Sequence, residues 1–464
     1  MFYGRENELS KLNKLYDSGE FHCAVIYGRR RVGKTTLIGE FCKDKKNLFF
    51  SSLESTAKEN MEVLSKTINE FLYPGSKAHP TFASFTDALI KISEVAKDER
   101  FVFVIDEFPY LAGADRSVSS ALQHAIDHHL SKTNIFLIIC GSSMSFMENQ
   151  VLGYNSPLYG RRTAQFKLEP LNYLQSAKAN PNLSPETNAL IYGISGGIPH
   201  YINKLGVKTD SSIHLSIIEN VLERTSYLFE EPANLLKQEL REPASYNAII
   251  AAMASGSSRL NEISTKTSLE YALCSKYLAT LISLGIAGKK NPVHDTTKNK
   301  SLYYIKDNLF KFWYRFIPDN MPQLMAGKGT LVYENEIKPY LNEYMGKVFE
   351  DICEQFLIYV ATDLPFPIKK IGSWWGGNPK TKQQEEIDIL ATNGKSAIFA
   401  ECKWQREKAT TNTLENLKRK AELFSQFTDK YFYIFSKSDF ADNLKEVAKK
   451  EPNIRLISLA DIYG

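Results

Sequence analysis

Two groups of residues in this chain have the types and spacing that chemistry on phosphates requires. The first is Gly28-Arg29-Arg30-Arg31-Val32-Gly33-Lys34-Thr35, a full match to G-x-x-x-x-G-K-[ST]. Glycines let backbone N–H groups approach phosphate oxygens, and a helix starting behind them adds partial positive charge. Lys34 then reaches the β- and γ-phosphates, and the Thr35 hydroxyl ligates Mg²⁺. A carboxylate pair, Asp106-Glu107, closes the apolar run Phe101-Val102-Phe103-Val104-Ile105. Asp106 suits the shell of Mg²⁺, and Glu107 suits polarisation of an attacking water, because phosphoryl transfer needs positioning and charge neutralisation. The expected ligands are ATP and Mg²⁺, bound by Gly28, Gly33, Lys34, Thr35, Thr36 and Asp106. A further apolar run, Ile135-Phe136-Leu137-Ile138-Ile139-Cys140, ends in Gly141-Ser142-Ser143. Ser142 or Ser143 is the candidate to touch the γ-phosphate or the water, with an ordinary Gly-Ser turn as the competing reading. Leu158-Tyr159-Gly160-Arg161-Arg162 adds guanidinium groups, the usual partners of transition-state phosphate charge and equally ordinary on a surface.

The second group lies near the C-terminus. A helix over 342–360 aligns Gly346, Glu350, Cys353 and Leu357, and a carboxylate on such a line requires a partner. Glu385-Glu386-Ile387-Asp388-Ile389-Leu390 alternates as a strand, with Glu386 and Asp388 on one face. In the next strand, Ala397-Ile398-Phe399-Ala400-Glu401-Cys402-Lys403-Trp404, Glu401 and Lys403 share a face. Hard carboxylate oxygens at this spacing hold Mg²⁺, and a neighbouring lysine orients or deprotonates water beside a phosphodiester. Glu350, Asp388 and Glu401 are therefore the expected metal ligands, with Glu401 and Lys403 in the chemistry. A cross-strand salt-bridge ladder on a solvated face is the alternative.

Positioning these residues takes several domains. A chain of 464 residues is too long for one core. Ala24-Val25-Ile26-Tyr27 reads as a buried strand before the glycine loop, and Thr36-Leu37-Ile38-Gly39-Glu40-Phe41 as the helix after it. Strands then alternate with helices over 1–170, which predicts an α/β core with a mostly parallel sheet. Residues 171–235 read as a helical lid interrupted by Gly196-Gly197-Ile198-Pro199. Over 236–320 come three helices, the third marked by Leu273, Tyr277, Leu281 and Leu284, and then two short strands. That order describes a winged helix-turn-helix whose wing carries Lys289, Lys290, Lys298 and Lys300. DNA contact through the third helix and wing competes with packing of the wing against neighbouring elements. The aromatic run from Phe310 to Phe316 reads as core or an inter-domain dock. Residues 335–464 form a separate α/β unit.

Composition narrows the class further. Apolar residues make up 43% and charged residues 24%, as in a globular protein, and the formal charge of +4 permits nucleic-acid binding without arguing for it. Six cysteines without C-x-x-C spacing speak against a disulfide framework or a zinc site. No apolar run approaches the roughly 18 residues of a membrane span. The expected location is the cytoplasm, with no membrane partner.

Together these residues resemble the archaeal ATPase family, AAA+-related STAND P-loop ATPases with bacterial members. The resemblance rests on Phe2 to Leu9 (F-x-G-R-E-x-E-L), the glycine loop, Asp106-Glu107, Gly141 to Ser143, Leu158 to Arg161, and Gly196 to Pro199. It implies Arg161 as the phosphate-sensing arginine and Gly197-Ile198-Pro199 as a nucleotide-sensing segment of the lid, with Pro199 in the nucleotide site. The region after the winged helix is similar to the family's C-terminal domain, itself similar to PD-(D/E)xK nucleases, with motif elements on Glu350, Asp388, Glu401 and Lys403. Two functions follow as expectations. In one, ATP binding and hydrolysis control a DNA-directed metal-dependent nuclease. In the other, the protein is an ATP-dependent switch or DNA-binding regulator with an inert C-terminal fold. Nucleic acid, DNA first, and further copies of the chain are the expected partners.

Overall fold

The computed structural model describes residues 2–293, 300–379 and 381–464. Two compact units are present: residues up to Leu171 with Ile198–His200, and Asn172–Gly197 with Tyr201–Gly464.

The first unit is built on strands β1 (His22–Tyr27), β2 (Asn47–Ser51), β3 (Val102–Asp106), β4 (Phe136–Gly141) and β5 (Ala164–Lys167). They lie in the order β2-β3-β4-β1-β5, and every pairing is parallel. Alternate residues of each strand enter different cores. Val25, Phe103, Ile105, Leu137 and Ile139 pack on one side, and Ala24, Ile26, Val102, Val104 and Ile138 on the other. A sheet covered on both faces needs the continuous apolar runs seen in the sequence, and it directs the strand C-termini to one edge. Thr35, Asp106 and Ser142 follow or begin at those ends.

In the second unit, helices Pro243–Ala254, Leu260–Thr267 and Tyr271–Ser283 precede an antiparallel pair, β6 (Ala287–Lys290) and β7 (Leu302–Ile305). The third helix buries Cys274, Tyr277, Leu278 and Leu281, while Leu273 is 36% exposed. The i, i+4 line drawn from Leu273 therefore runs along the edge of the buried face, and Cys274 takes the inner position. The hairpin's lysines are not a free set. Lys290 lies 5.4 Å over the Trp375 ring and 3.4 Å from Ser373 Oγ, and Lys289 lies 5.4 Å over Tyr303. Lys298 falls outside the described residues. Just after β6, the Val293 amide donates to the Ser373 carbonyl at 3.1 Å, and the Val293 side chain joins the C-terminal core beside Ile387 and Phe399. The aromatic helix, Asn308–Phe316, buries Phe310, Phe312 and Phe316, and its Trp313 Nε1 donates to the Phe229 carbonyl at 2.8 Å.

The C-terminal part holds β8 (Lys370–Gly377), β9 (Gln384–Thr392), β10 (Ser396–Lys403), β11 (Asp429–Ser436) and β12 (Ile454–Ser458), in the order β12-β11-β10-β9-β8. β8, β9 and β10 pair antiparallel, whereas β10, β11 and β12 are parallel. Helix Leu341–Tyr359 packs against β9 and β10, and helix Thr411–Ala421 against β9, β10 and β11. A carboxylate in the apolar socket of Val293 would lack a partner. Val293→Asp is expected to lower the urea-unfolding free energy of the C-terminal part by more than about 2 kcal/mol. An unchanged denaturation midpoint would show that the hairpin contact is incidental.

Candidate functional site

The glycine loop joins β1 to helix Lys34–Cys42, and its conformation follows from its residues. Gly33 caps that helix at φ 93° and Arg31 sits at φ 74°, both in the left-handed region. Gly28 has no room for a side chain, since an added Cβ would fall 2.3 Å from the Leu168 carbonyl oxygen. Arg5 locks the loop from outside. It is buried, donates to the Val32 carbonyl at 3.1 Å and to the Glu169 carbonyl, and pairs with Glu8 at 3.2 Å. The F-x-G-R-E-x-E-L stretch thus carries a positioning residue that its own spacing did not disclose.

The Lys34 ammonium lies inside the loop, donating to the Gly28 and Arg29 carbonyls at 2.9 and 3.0 Å, and burial lowers its pKa. Thr35 Oγ1 donates to Asp106 Oδ2 at 3.3 Å, so hydroxyl and carboxylate converge where one hard cation would take both oxygens. Glu107 stands at φ 50°, a strained value for a residue with a side chain. Its carboxylate accepts from the Ser142 amide at 3.1 Å and the Ser142 hydroxyl at 2.8 Å. Sequence reasoning offered Ser142 or Ser143, and Ser142 is the one that joins the carboxylate. Pro199 lies next to the loop, 3.8 Å from the position a Gly33 Cβ would take. Thr36 follows Thr35 on the same helix and is exposed. Arg161 makes a two-pronged pair with Asp127, at 3.0 and 2.9 Å, and donates to the Tyr159 carbonyl. None of these partners belongs to the loop or to Asp106, Glu107 and Ser142.

At the second site, Glu350, Glu386 and Asp388 each offer a carboxylate oxygen, all within 4.8 Å of one another. Burial and the Asp388 charge push Glu350 up to about 7, against the pull of Lys347. Burial and the Glu401 charge push Asp388 up to about 6, although its Oδ2 accepts from the Cys402 amide at 2.8 Å. Mutual repulsion among hard oxygen donors is the chemistry of a divalent-cation site, and the residues fit Mg²⁺ or Mn²⁺. The expected ligand Glu401 lies outside this cluster. Its two oxygens accept from Lys403 at 2.8 Å and from Lys420 at 3.1 Å. Burial pulls the Lys403 pKa down, but the bond and charge of Glu401 outweigh it and hold it above the ordinary lysine value. Glu386 takes the place expected of Glu401. Its signal was its i, i+2 spacing to Asp388.

A parallel sheet with a glycine loop after β1 and a paired carboxylate after β3 defines a P-loop ATPase domain. Residues 2–205 match the family described as an ATPase domain predominantly from Archaea, and residues 313–415 match one described as archaeal and bacterial proteins of unknown function. An uncharacterized protein of Methanocaldococcus jannaschii is 34% identical over 446 residues, spanning 94% of this chain and 96% of that one. The chain belongs to the same family as that protein. Among solved structures, the Walker-type ATPase PABY2304 of Pyrococcus abyssi is similar in fold, with a TM-score of 0.51, 20% identity, and coverage of 68% of this chain and 96% of that one. The Aeropyrum pernix ORC2 protein, solved as ADPNP–ADP complexes, aligns with a TM-score of 0.45 at 14% identity over 71% of this chain and 95% of its own. Among the described residues no helix is long and apolar enough to cross a membrane.

The geometry of the loop generates a paired prediction. Lys34→Ala removes the charge that meets the phosphates and is expected to weaken ATP binding about a hundredfold or more, read by calorimetry. Gly28→Ala pushes the loop off the Leu168 carbonyl and is expected to weaken binding as well, with a lower melting temperature. Wild-type affinity in Lys34→Ala would remove the loop from the nucleotide site.

Proposed function

We propose that the N-terminal domain binds and hydrolyses ATP with Mg²⁺, and that its nucleotide state controls a DNA-directed, metal-dependent nuclease-like C-terminal domain. The approach of Thr35 Oγ1 to Asp106 Oδ2 at 3.3 Å, beside the Lys34 ammonium, carries the ATPase part of this reading. Thr35 and Asp106 would hold Mg²⁺ here, and the ion would neutralise charge on the β- and γ-phosphates. Lys34, held on loop carbonyls, exchanges them for phosphate oxygens when nucleotide enters. Glu107 leaves the Ser142 amide and hydroxyl to orient the attacking water, and Ser142 then has its donors free for the γ-phosphate. Arg161 takes the role of phosphate sensor only after exchanging Asp127 for a nucleotide.

For the C-terminal domain the support is the carboxylate cluster of Glu350, Glu386 and Asp388, with the Glu401–Lys403 pair beside it. Lys403, half-buried and held protonated by Glu401, stabilises charge on a phosphodiester. DNA is the proposed nucleic acid: the three helices and the β6–β7 hairpin follow the order of a winged helix-turn-helix, with Lys276 exposed on the third helix. Because Lys290 and Val293 engage β8, we assign the hairpin to packing and leave DNA contact to the helix. A second reading, an ATP-dependent switch with an inert C-terminal fold, draws on one observation. Glu401 is bridged by two lysines, as in a salt-bridge ladder.

Glu107→Gln is expected to bind ATP normally and hydrolyse it about 10²- to 10⁴-fold more slowly, measured by phosphate release. Linear, supercoiled and branched DNA, incubated with the protein in Mg²⁺ or Mn²⁺ with and without ATP, tests the other half. Cutting is expected from wild type and not from Asp388→Ala or Lys403→Ala. Absence of cutting in every wild-type condition leaves the switch reading.

A further inference from the structure

Three carboxylates within 4.8 Å of one another repel strongly unless positive charge stands among them. Here that charge comes from the chain itself. Lys347 Nζ lies 2.9 Å from Glu350 Oε1, 3.1 Å from Glu350 Oε2 and 3.3 Å from Glu386 Oε1. It stands three residues before Glu350 on helix Leu341–Tyr359, the spacing that brings side chains together on one helical face. The two sides of the contact differ in freedom. The Lys347 side chain is 58% exposed, while that of Glu350 is only 18% exposed. The carboxylate is fixed and the ammonium is on a flexible stem that reaches solvent.

Resting on the reading of Glu350, Glu386 and Asp388 as a divalent-metal site, we propose that Lys347 is the site's built-in counter-ion. Its ammonium occupies the cation position and swings out to solvent when metal binds. Two cations cannot share these oxygens: a divalent ion held by Glu350 would face the ammonium across a single carboxylate. Lys347 therefore competes with the metal, stabilises the metal-free fold and weakens metal affinity. Lys403 and Lys420 do not play this part, because both are bound to Glu401.

The test is calorimetric titration of the full chain with Mn²⁺ alone, without ATP or DNA, together with thermal melting. Lys347→Met is expected to bind Mn²⁺ about tenfold or more tightly than wild type, through loss of the competing charge. Without metal, the same variant is expected to melt lower than wild type, and Mn²⁺ should restore it. Lys347→Arg keeps the charge and is expected to bind as weakly as wild type, which separates the charge from the side chain's packing. Asp388→Ala added to either background should abolish the binding. Equal Mn²⁺ affinity in wild type and Lys347→Met, with both losing it in the Asp388→Ala background, overturns the Lys347 proposal while leaving the metal site standing. No Mn²⁺ uptake by wild type, Lys347→Met or Lys347→Arg overturns the metal-site reading and this proposal with it.

Discussion

A carboxylate removed from water costs several kcal/mol unless cations or hydrogen-bond donors meet it, and both sites of this protein are arranged around that cost. At the first site a strand end supplies the carboxylates because a buried parallel strand has no other place for them. Asp106 follows four buried apolar residues, and its oxygens meet the Thr35 hydroxyl and the Glu107 amide. Glu107 is met by two donors from Ser142, and the Lys34 ammonium is turned inward upon loop carbonyls. Every one of these contacts is of a kind that a triphosphate and its ion can replace. Arg5 lies outside that exchange. Buried and bonded to the Val32 carbonyl of the loop and to the Glu169 carbonyl after β5, it fixes the frame within which the other groups swap partners.

The same constraint is met less completely at the C-terminal cluster. Asp388 receives one backbone N–H, Glu350 one ammonium, and both have raised pKa values. Glu401, a strand away, has two ammonium partners. Positive charge is thus supplied unevenly to the two groups of carboxylates.

How much of this was legible follows from sequence distance. The glycine loop, the Asp106-Glu107 strand end and the Gly141-Ser142 strand end are contiguous motifs, and hydrophobic runs set them on parallel strands. Their positions were readable because local pattern and sheet burial agree. Glu350 and Asp388 were readable for the same reason, each placed by periodicity on its own element. The choice between Glu386 and Glu401 was not, because it depends on which strand residue approaches a helix some forty residues earlier. Lys347 was hidden among ordinary helix charges. Docking of Val293 onto β8 escaped because nothing in a short loop announces a partner eighty residues away. On the third helix Tyr277 and Leu281 of the expected line are buried, while Leu273 is exposed and Cys274 and Leu278 complete the inner stripe.

Backbone freedom in the segment before Pro199 is confined to two residues. Pro199 lies beside Gly33 of the loop, and the residues just before it, Gly196 and Gly197, have φ values of 60° and 71°. Such backbone turns freely only at glycine. Upstream of them is helix Pro185–Ser195, which is not free to follow independently. An added Cβ at Gly193 would fall 2.6 Å from Met345 Sδ, and the Tyr344 hydroxyl donates to the Gly193 carbonyl at 2.6 Å. Tyr344 and Met345 open the helix that carries Lys347 and Glu350. Close backbone approach and a buried hydrogen bond hold the two helices against each other. The glycine pair is consequently the place where the chain can turn without disturbing the packing of helix Pro185–Ser195 against Tyr344 and Met345.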